Sequence, residues 1–192
     1  MKVIEQEIHS LKNSISEMWA LVHQQLYNAG EAMLTGDKEL AYKVISRERR
    51  VNAFELKIDS DCEDIIALYA PVAIDLRFVL AMYKINTNLE RLGDFAESIA
   101  RFAGNLPEGE PIDPQLVKET RVEEMLSELL SMISLTKEAF EKESSEIASR
   151  IFLKDNLIDE INHNSTAIIA KYIEEHKGSA LAGLYMAGVI RK

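Results

Sequence analysis

Apolar residues recur at spacings of three and four along most of the chain, and this pattern predicts α-helices. Runs that alternate apolar and polar residues, as strands do, are absent from the sequence. A first helix is predicted over 2–34 and ends before Gly36, because glycine terminates helices at little cost. Its apolar stripe consists of Leu11, Ile15, Met18, Val22 and Leu26.

Two further long helices are predicted, over 38–69 and 72–103, with Pro71 separating them. The second helix carries a row of apolar residues at regular heptad spacing, namely Val44, Val51, Ile58 and Ile65. The third helix carries a similar row, Phe78, Ile85, Leu92 and Ile99, which we expect to face the interior. Three long helices joined by short turns predict an antiparallel bundle.

The second half of the sequence repeats the first at a constant offset. At this offset Val44 and Val51 align with Ile151 and Ile158, and Glu48 aligns with Asp155. The predicted fold class is therefore all α, with tandem three-helix bundles of up-down-up, spectrin-like helices. We predict a first repeat over 1–104, a linker rich in proline and glycine over 105–114, and a second repeat over 115–192.

The second repeat is expected to be incomplete, because the position equivalent to Glu90 would fall beyond Lys192. Its last helix would begin near Ser179 and would be only about half as long as the third helix. Apolar residues of the two preceding helices would then be partly exposed: Leu126, Leu129, Ile133, Ile158 and Ile161. This indicates either a truncated chain or a covering partner.

Composition narrows the class of protein. With 192 residues, of which 47% are hydrophobic, the chain can bury a substantial core. A net charge of -10 argues against binding of duplex nucleic acid, which requires a basic surface. Cys62 is the only cysteine, so neither an intrachain disulfide nor a zinc site of several thiolates is expected.

The N-terminus lacks the apolar run of a signal peptide, and the longest uncharged stretch, 178–190, is too short to cross a bilayer. A cytoplasmic protein without direct membrane insertion is expected.

Three carboxylates, Glu90, Asp94 and Glu97, follow one side of the third predicted helix. Like charges stacked in this way repel each other weakly unless a cation lies among them. Two explanations fit the spacing: a solvated face containing a Glu97–Arg101 ion pair, or a binding site for a positive ion. If Ile85, Leu92 and Ile99 face inward, these acids face outward.

The second helix carries a similar set, and adjacent acidic faces can converge. Its members are Glu48, Asn52, Glu55 and Asp59. Several oxygen ligands from two helices would suit a hard or borderline cation such as magnesium, manganese or iron. In the second repeat Asp155 and Asp159 have the same spacing as Glu55 and Asp59.

Gly93 lies within the acidic stretch of the third helix, where glycine costs about 1 kcal/mol relative to alanine. A close contact at this position is one explanation for a glycine there.

No catalytic residues are predicted, since the sequence lacks a nucleophile-and-base arrangement, a phosphate-binding glycine loop and a dinucleotide fingerprint. The spacing Glu160-x-x-His163 is typical of di-iron bundles, but those use it twice and it occurs here once.

The stretch Asn88-Leu-Glu-Arg-Leu-Gly-Asp94 resembles the signature on the third helix of PhoU proteins, and the segment from Tyr69 to Arg77 is similar to the one that precedes it there. The resemblance extends over nearly the whole chain. It implies a cytoplasmic regulator of phosphate uptake and of the phosphate-starvation response, not an enzyme. Its expected partners are the ATPase subunit of the phosphate ABC transporter and a sensor histidine kinase, and it often forms a homodimer.

The resemblance also implies metal binding through Glu/Asp-x-x-x-Asp motifs, with iron, zinc, manganese or magnesium as the metal. The expected ligands in this sequence are Glu90, Asp94, Glu55, Asp59, Glu48, Asp155 and Asp159. Two alternatives remain: a carboxylate-bridged metal oxidoreductase or iron-storage bundle, which requires ligands facing inward, and a structural helical module with solvated acidic faces.

Overall fold

A computed structural model describes residues 3–106, 112–176 and 178–191, which form helices joined by short connections. Within these residues there is no strand, and the predicted all-α fold is confirmed. In chain order the helices are α1 (Val3–Thr35), α2 (Lys38–Tyr69), α3 (Ala73–Asn105), α4 (Pro114–Thr120), α5 (Val122–Glu141), α6 (Ser145–Glu175) and α7 (Ala180–Ile190).

Helices α1, α2 and α3 pack against one another and form the first bundle. Each of the apolar residues predicted for the stripe of α1 is buried, and so is each of those predicted for α2. The side chain of Asp37 caps α2 by accepting a hydrogen bond from the Leu40 amide at 2.9 Å, the usual role of an aspartate at this position. The helix boundaries lie within two residues of those predicted from the sequence.

The buried stripe of α3 differs from the predicted one. Of the row expected to face inward, only Ile99 is buried, whereas Phe78, Ile85 and Leu92 are half-buried. The residues that pack inside the bundle are mostly smaller and follow a spacing of three and four: Val79, Met82, Asn86, Leu89, Gly93, Ala96, Ala100 and Ala103. Small residues allow neighbouring helices to approach closely, so this seam forms the contact within the first bundle. The larger Leu92 and Ile99 face the second half of the chain, where they line an apolar cavity of about 150 Å³.

The second half follows the same order, except that the equivalent of α1 is divided at Arg121 into α4 and α5. Helices α6 and α7 follow α2 and α3 at the offset that aligns Val44 with Ile151. Helix α5 packs on α6, and α6 on α7, but α7 has only 11 residues against 33 in α3. The predicted domain limits remain a prediction, and 107–111 of the predicted linker lie outside the described residues.

Helix α1 also contacts α5 and joins the two halves. The Trp19 indole donates a hydrogen bond to the Ile133 carbonyl at 3.2 Å, and its ring stacks on Phe140. This contact explains why Ile133 is buried, contrary to our expectation of partial exposure. Ile161 is also buried, whereas Leu126, Leu129 and Ile158 are half-buried. Across the described residues, no helix combines the length and the hydrophobicity needed to cross a membrane.

Replacing Gly93 by alanine tests the close contact of α2 and α3. A Cβ atom at this position would lie 2.8 Å from Cγ1 of Val51. We therefore expect Gly93→Ala to lower the free energy of unfolding by about 1–3 kcal/mol, despite the better helix propensity of alanine.

The control is Gly104→Ala in the same helix, because nothing lies within 4 Å of its added Cβ. This variant should be neutral or slightly stabilising, since alanine loses less conformational freedom than glycine on folding. Urea titrations followed by circular dichroism measure both variants. Equal stability of the two would contradict the close contact.

Candidate metal centre between α2 and α3

Gly93 places the two acidic helices in direct contact. An added Cβ at Gly93 would lie 3.6 Å from Oε2 of Glu48, on the facing side of α2. The glycine therefore leaves room both for Val51 and for the Glu48 carboxylate at the helix interface. This close approach is one of the explanations given above for a glycine within the acidic stretch.

Glu48 is the most unusual side chain of the contact, because it is an acid with only 6% of its surface exposed. Both of its carboxylate oxygens are buried, and neither has a hydrogen-bond partner. A buried carboxylate without a partner is costly when ionised. Burial, followed by the negative charges of Asp94, Glu97 and Glu90, raises the pKa of Glu48 from 4.5 to about 7.

Glu90 on α3 belongs to the same charged group. Burial raises its pKa, and the nearby carboxylates of Asp94 and Glu55 raise it further, against the opposing effect of Arg91. A side-chain interaction with Asp94 also contributes to the raised pKa of Glu90. The acids of α2 and α3 therefore do converge, and we call Glu48, Glu55, Glu90, Asp94 and Glu97 the acidic cluster.

The orientation of these acids differs from the sequence-based expectation that they face outward. Since the inward seam of α3 runs through Leu89, Gly93 and Ala96, Glu90 and Glu97 lie beside it and are half-buried. Asp94 remains exposed. The predicted ion pair between Glu97 and Arg101 is present, with a distance of 2.6 Å. Arg101 therefore partly neutralises the Glu97 carboxylate of the acidic cluster.

Asp59, a further predicted ligand, lies beside Asn86 of α3. The Asn86 amide donates hydrogen bonds to Oδ1 of Asp59 at 2.7 Å and to the Glu55 carbonyl at 2.9 Å. Asn86 is fully buried, and its own Oδ1 has no partner. Asn86 was not among the predicted site residues, although a polar residue at the spacing of the buried stripe was a signal for it. The amide fixes the orientation of one potential carboxylate ligand.

The predicted ligands of the second repeat are not brought together in this way. Asp155 and Asp159 are both exposed, and α7, which takes the place of α3 in the second bundle, contains no acidic residue. Glu160 is paired with Arg121 at 2.9 Å and His163 is exposed, so the Glu-x-x-His spacing does not form an inward-facing ligand set.

The acidic cluster is not arranged as a finished ligand set. Within the described ranges, no three Asp, Glu, His or Cys side chains converge as the ligands of one metal ion. However, the cluster offers only oxygen donors, and those of Glu48 are buried and unpartnered. Oxygen donors of this type fit hard or borderline cations, and ligation would require rotation of side chains.

Comparisons with known proteins agree on one family. The model of the PhoU domain family matches residues 15–103 and 122–191. The phosphate-specific transport system accessory protein PhoU homolog of Aquifex aeolicus is 32% identical over 96% of this chain and 82% of its own length. The accessory protein PhoU of Escherichia coli is 31% identical over 97% of this chain and 77% of its own length.

Solved structures give the same result. The phosphate transport system regulatory protein PhoU from Streptococcus pneumoniae superposes with a TM-score of 0.85 at 27% identity, over 98% of this chain and 86% of that one. PhoU from Pseudomonas aeruginosa gives a TM-score of 0.86 at 25% identity, over 97% and 88% of the two chains.

The raised pKa of Glu48 predicts a specific pH dependence of stability in metal-free protein. The folded state binds the Glu48 proton more tightly than the unfolded state does. The contribution of this proton to the free energy of unfolding is therefore fully present below pH 4.5 and is lost as the pH rises through about 7. Glu48→Gln removes this loss. When the pH is raised from mildly acidic to mildly alkaline, wild type should therefore lose up to about 3 kcal/mol of unfolding free energy that the variant keeps. Urea titrations at several pH values, with a chelator present, measure the difference.

Glu63→Gln on the exposed surface of α2 is the matched control and should keep the wild-type slope. Parallel stability curves for wild type and Glu48→Gln would show that Glu48 ionises in the folded protein as it does in the unfolded chain.

Proposed function

This chain belongs to the PhoU family, and from that premise we propose that it is an accessory protein of phosphate transport whose acidic cluster binds a metal ion. The family relationship supports the phosphate-related role, since the relatives named above are phosphate transport accessory proteins. The observation that carries the metal proposal is Glu48, a buried carboxylate whose two oxygens have no partner.

The acidic cluster suits a cation for an electrostatic reason. Without one, its carboxylates repel one another, and the repulsion adds to burial in raising the pKa of both Glu48 and Glu90. A bound cation would compensate the negative charge and satisfy the unpartnered oxygens. We propose Glu48, Glu90 and Asp94 as the central ligands, with Glu55 and Asp59 of α2 as further donors.

Metal binding and proton binding at the cluster would then compete. A carboxylate must lose its proton before it binds a metal, so uptake of the ion releases protons near neutral pH. Iron, manganese, magnesium and zinc all accept carboxylate ligands. Metal binding would also join α2 and α3 through their side chains and stabilise the first bundle.

We further propose a regulatory adaptor and not an enzyme. In this proposal the chain acts in the cytoplasm, as a homodimer, between the ATPase subunit of the phosphate ABC transporter and a sensor histidine kinase. When phosphate is plentiful, it would bind the kinase state that does not phosphorylate the response regulator more tightly than the other state. A difference in affinity of this kind is required for any shift between the two states.

Two double variants with equal changes of charge test the metal proposal. We expect Glu90→Gln/Asp94→Asn to weaken Mn²⁺ binding by at least about tenfold, because it removes two central ligands. Asp155→Asn/Asp159→Asn should bind Mn²⁺ as wild type does, because these acids lie on the exposed surface of α6. Isothermal titration calorimetry measures affinity, and titrations in two buffers of different ionisation enthalpy measure proton release.

The proton release near neutral pH should decrease in Glu48→Gln, because a group whose pKa is about 7 carries a proton in roughly half of the metal-free molecules at that pH. Equal affinity of the two double variants would contradict the assignment. Failure of wild-type protein to bind Mn²⁺, Fe²⁺, Zn²⁺ or Mg²⁺ would leave the cluster as a protonated, half-buried surface.

A gene deletion tests the adaptor. At high phosphate the deletion strain should express alkaline phosphatase, and the wild-type gene should restore repression. Complementation with Glu90→Gln/Asp94→Asn then shows whether regulation needs the cluster, with Asp155→Asn/Asp159→Asn as the control. Unchanged repression in the deletion strain would refute the regulatory role while leaving metal binding intact.

A further inference from the structure

The turn between α2 and α3 exposes three large aliphatic side chains close together in the sequence. Leu68, Val72 and Ile74 are 72%, 73% and 78% exposed. Aliphatic residues of this size are usually buried. We call Leu68–Ile74 the aliphatic turn. It lies at the end of the first bundle and is separate along α2 and α3 from Glu48 and Gly93 of the acidic cluster.

The aliphatic turn is fixed and strained. Ala70 and Ala73 both have positive φ, 44° and 49°. This left-handed conformation is unfavourable for residues with a Cβ, because the Cβ atom comes too close to the backbone. The Ala70 amide donates to the Ile66 carbonyl at 3.2 Å, and Pro71 is buried. These features hold the exposed side chains of Val72 and Ile74 in one arrangement, which lowers the entropy cost of binding a partner.

The second repeat shows that the connection itself does not require this sequence. At the offset that relates the repeats, Pro71 and Val72 correspond to Gly178 and Ser179, which precede α7. There the positive φ, 93°, is adopted by the glycine, at no steric cost. At the same offset Ala73 aligns with Ala180, which lacks a positive φ, and the exposed Val72 aligns with Ser179. Ile74 aligns with Leu181, which is itself 62% exposed. Strain together with exposed apolar surface is typical of a binding site.

The charges around the aliphatic turn restrict the partner. Glu63 and Asp64 precede it and Asp75 follows it, whereas Arg77 is the one basic residue in 63–77. Asp61 is already paired with Lys57 and does not count toward this charge. An anionic membrane surface would repel this acidic collar. The same turn of a second copy would repel it as well, because equal charges would face each other. The surface fits a protein whose apolar pocket has a basic rim.

We propose that the aliphatic turn docks a subunit of the phosphate transporter through a pocket lined by apolar residues and rimmed by Lys and Arg. This inference rests on the proposed function for the transporter as partner. Val72 and Ile74 would enter the pocket, and the acidic collar would increase the association rate by electrostatic attraction.

The test uses the full chain and the purified ATPase subunit of the transporter. We expect Val72→Asp/Ile74→Asp to weaken binding by at least about tenfold, because it places charges in an apolar pocket. The control is Phe152→Asp/Leu153→Asp on α6, whose side chains are 78% and 75% exposed. It should bind within about twofold of wild type. Calorimetry measures affinity, and circular dichroism confirms that both variants fold.

Raising the salt concentration to about 0.5 M should weaken wild-type binding through screening of the collar.

Each contrary result is distinct. Equal binding by wild type and Val72→Asp/Ile74→Asp would overturn the docking surface and leave the proposed function intact. If Val72→Asp/Ile74→Asp lost only its binding to the sensor kinase, or only its self-association, the surface would belong to another occupant and the proposal would be overturned. Binding of wild type to phosphatidylglycerol vesicles through this turn would overturn it in the same way. Failure of wild type to bind any transporter subunit would refute the transporter partnership itself, together with this inference.

Discussion

The close contact of α2 and α3 at Gly93 is the constraint on which the candidate centre depends. A seam of glycine and alanine brings the two helix backbones together, and the acids on both sides of the seam approach as a consequence. Glu48 is then enclosed between the helices, where neither oxygen has a partner. A side chain at Gly93 would clash with Val51 and press on the Glu48 carboxylate. The electrostatics of the acidic cluster therefore depend directly on the helix packing of the first bundle.

This arrangement gives the acidic cluster a high free energy in the ionised state. The protein can relieve the repulsion by binding protons, as the raised pKa values of Glu48 and Glu90 indicate, or, in the function proposed here, by binding a cation. The Glu97–Arg101 pair relieves part of it from the outside, but an exposed pair of this kind contributes little. Proton binding and cation binding are thus alternative ways of stabilising the same helix contact, which is how a change in ion or pH could reach the bundle as a whole.

Much of the fold could be predicted from the sequence, because long apolar stripes and single breaks at Gly36 and Pro71 determine helices and turns. The stripe of α3 was misassigned because the prediction followed the largest apolar residues, whereas Gly93 and Ala96 pack inside the bundle. The consequence was that the acids were expected to face away from the interior. The burial of Glu48 and the role of Asn86 depend on how the backbones approach, which no single-helix pattern contains.

The two repeats share their offset, but the positions equivalent to Glu90 and Asp94 lie beyond Lys192. The acidic cluster requires acids on both the second and third helices of a bundle, and α7 offers none to Asp155 and Asp159. The turns differ as well, since Ala70 and Ala73 have positive φ in the first repeat, whereas Gly178 has it in the second. Among the described residues, the buried side-chain oxygens without a partner, in Gln25, Glu48 and Asn86, lie in the first bundle. The second bundle covers part of it, since α5 packs against α1 through Ile133 and Trp19. In physical terms, the second repeat adds packing to a bundle that retains a buried carboxylate, Glu48.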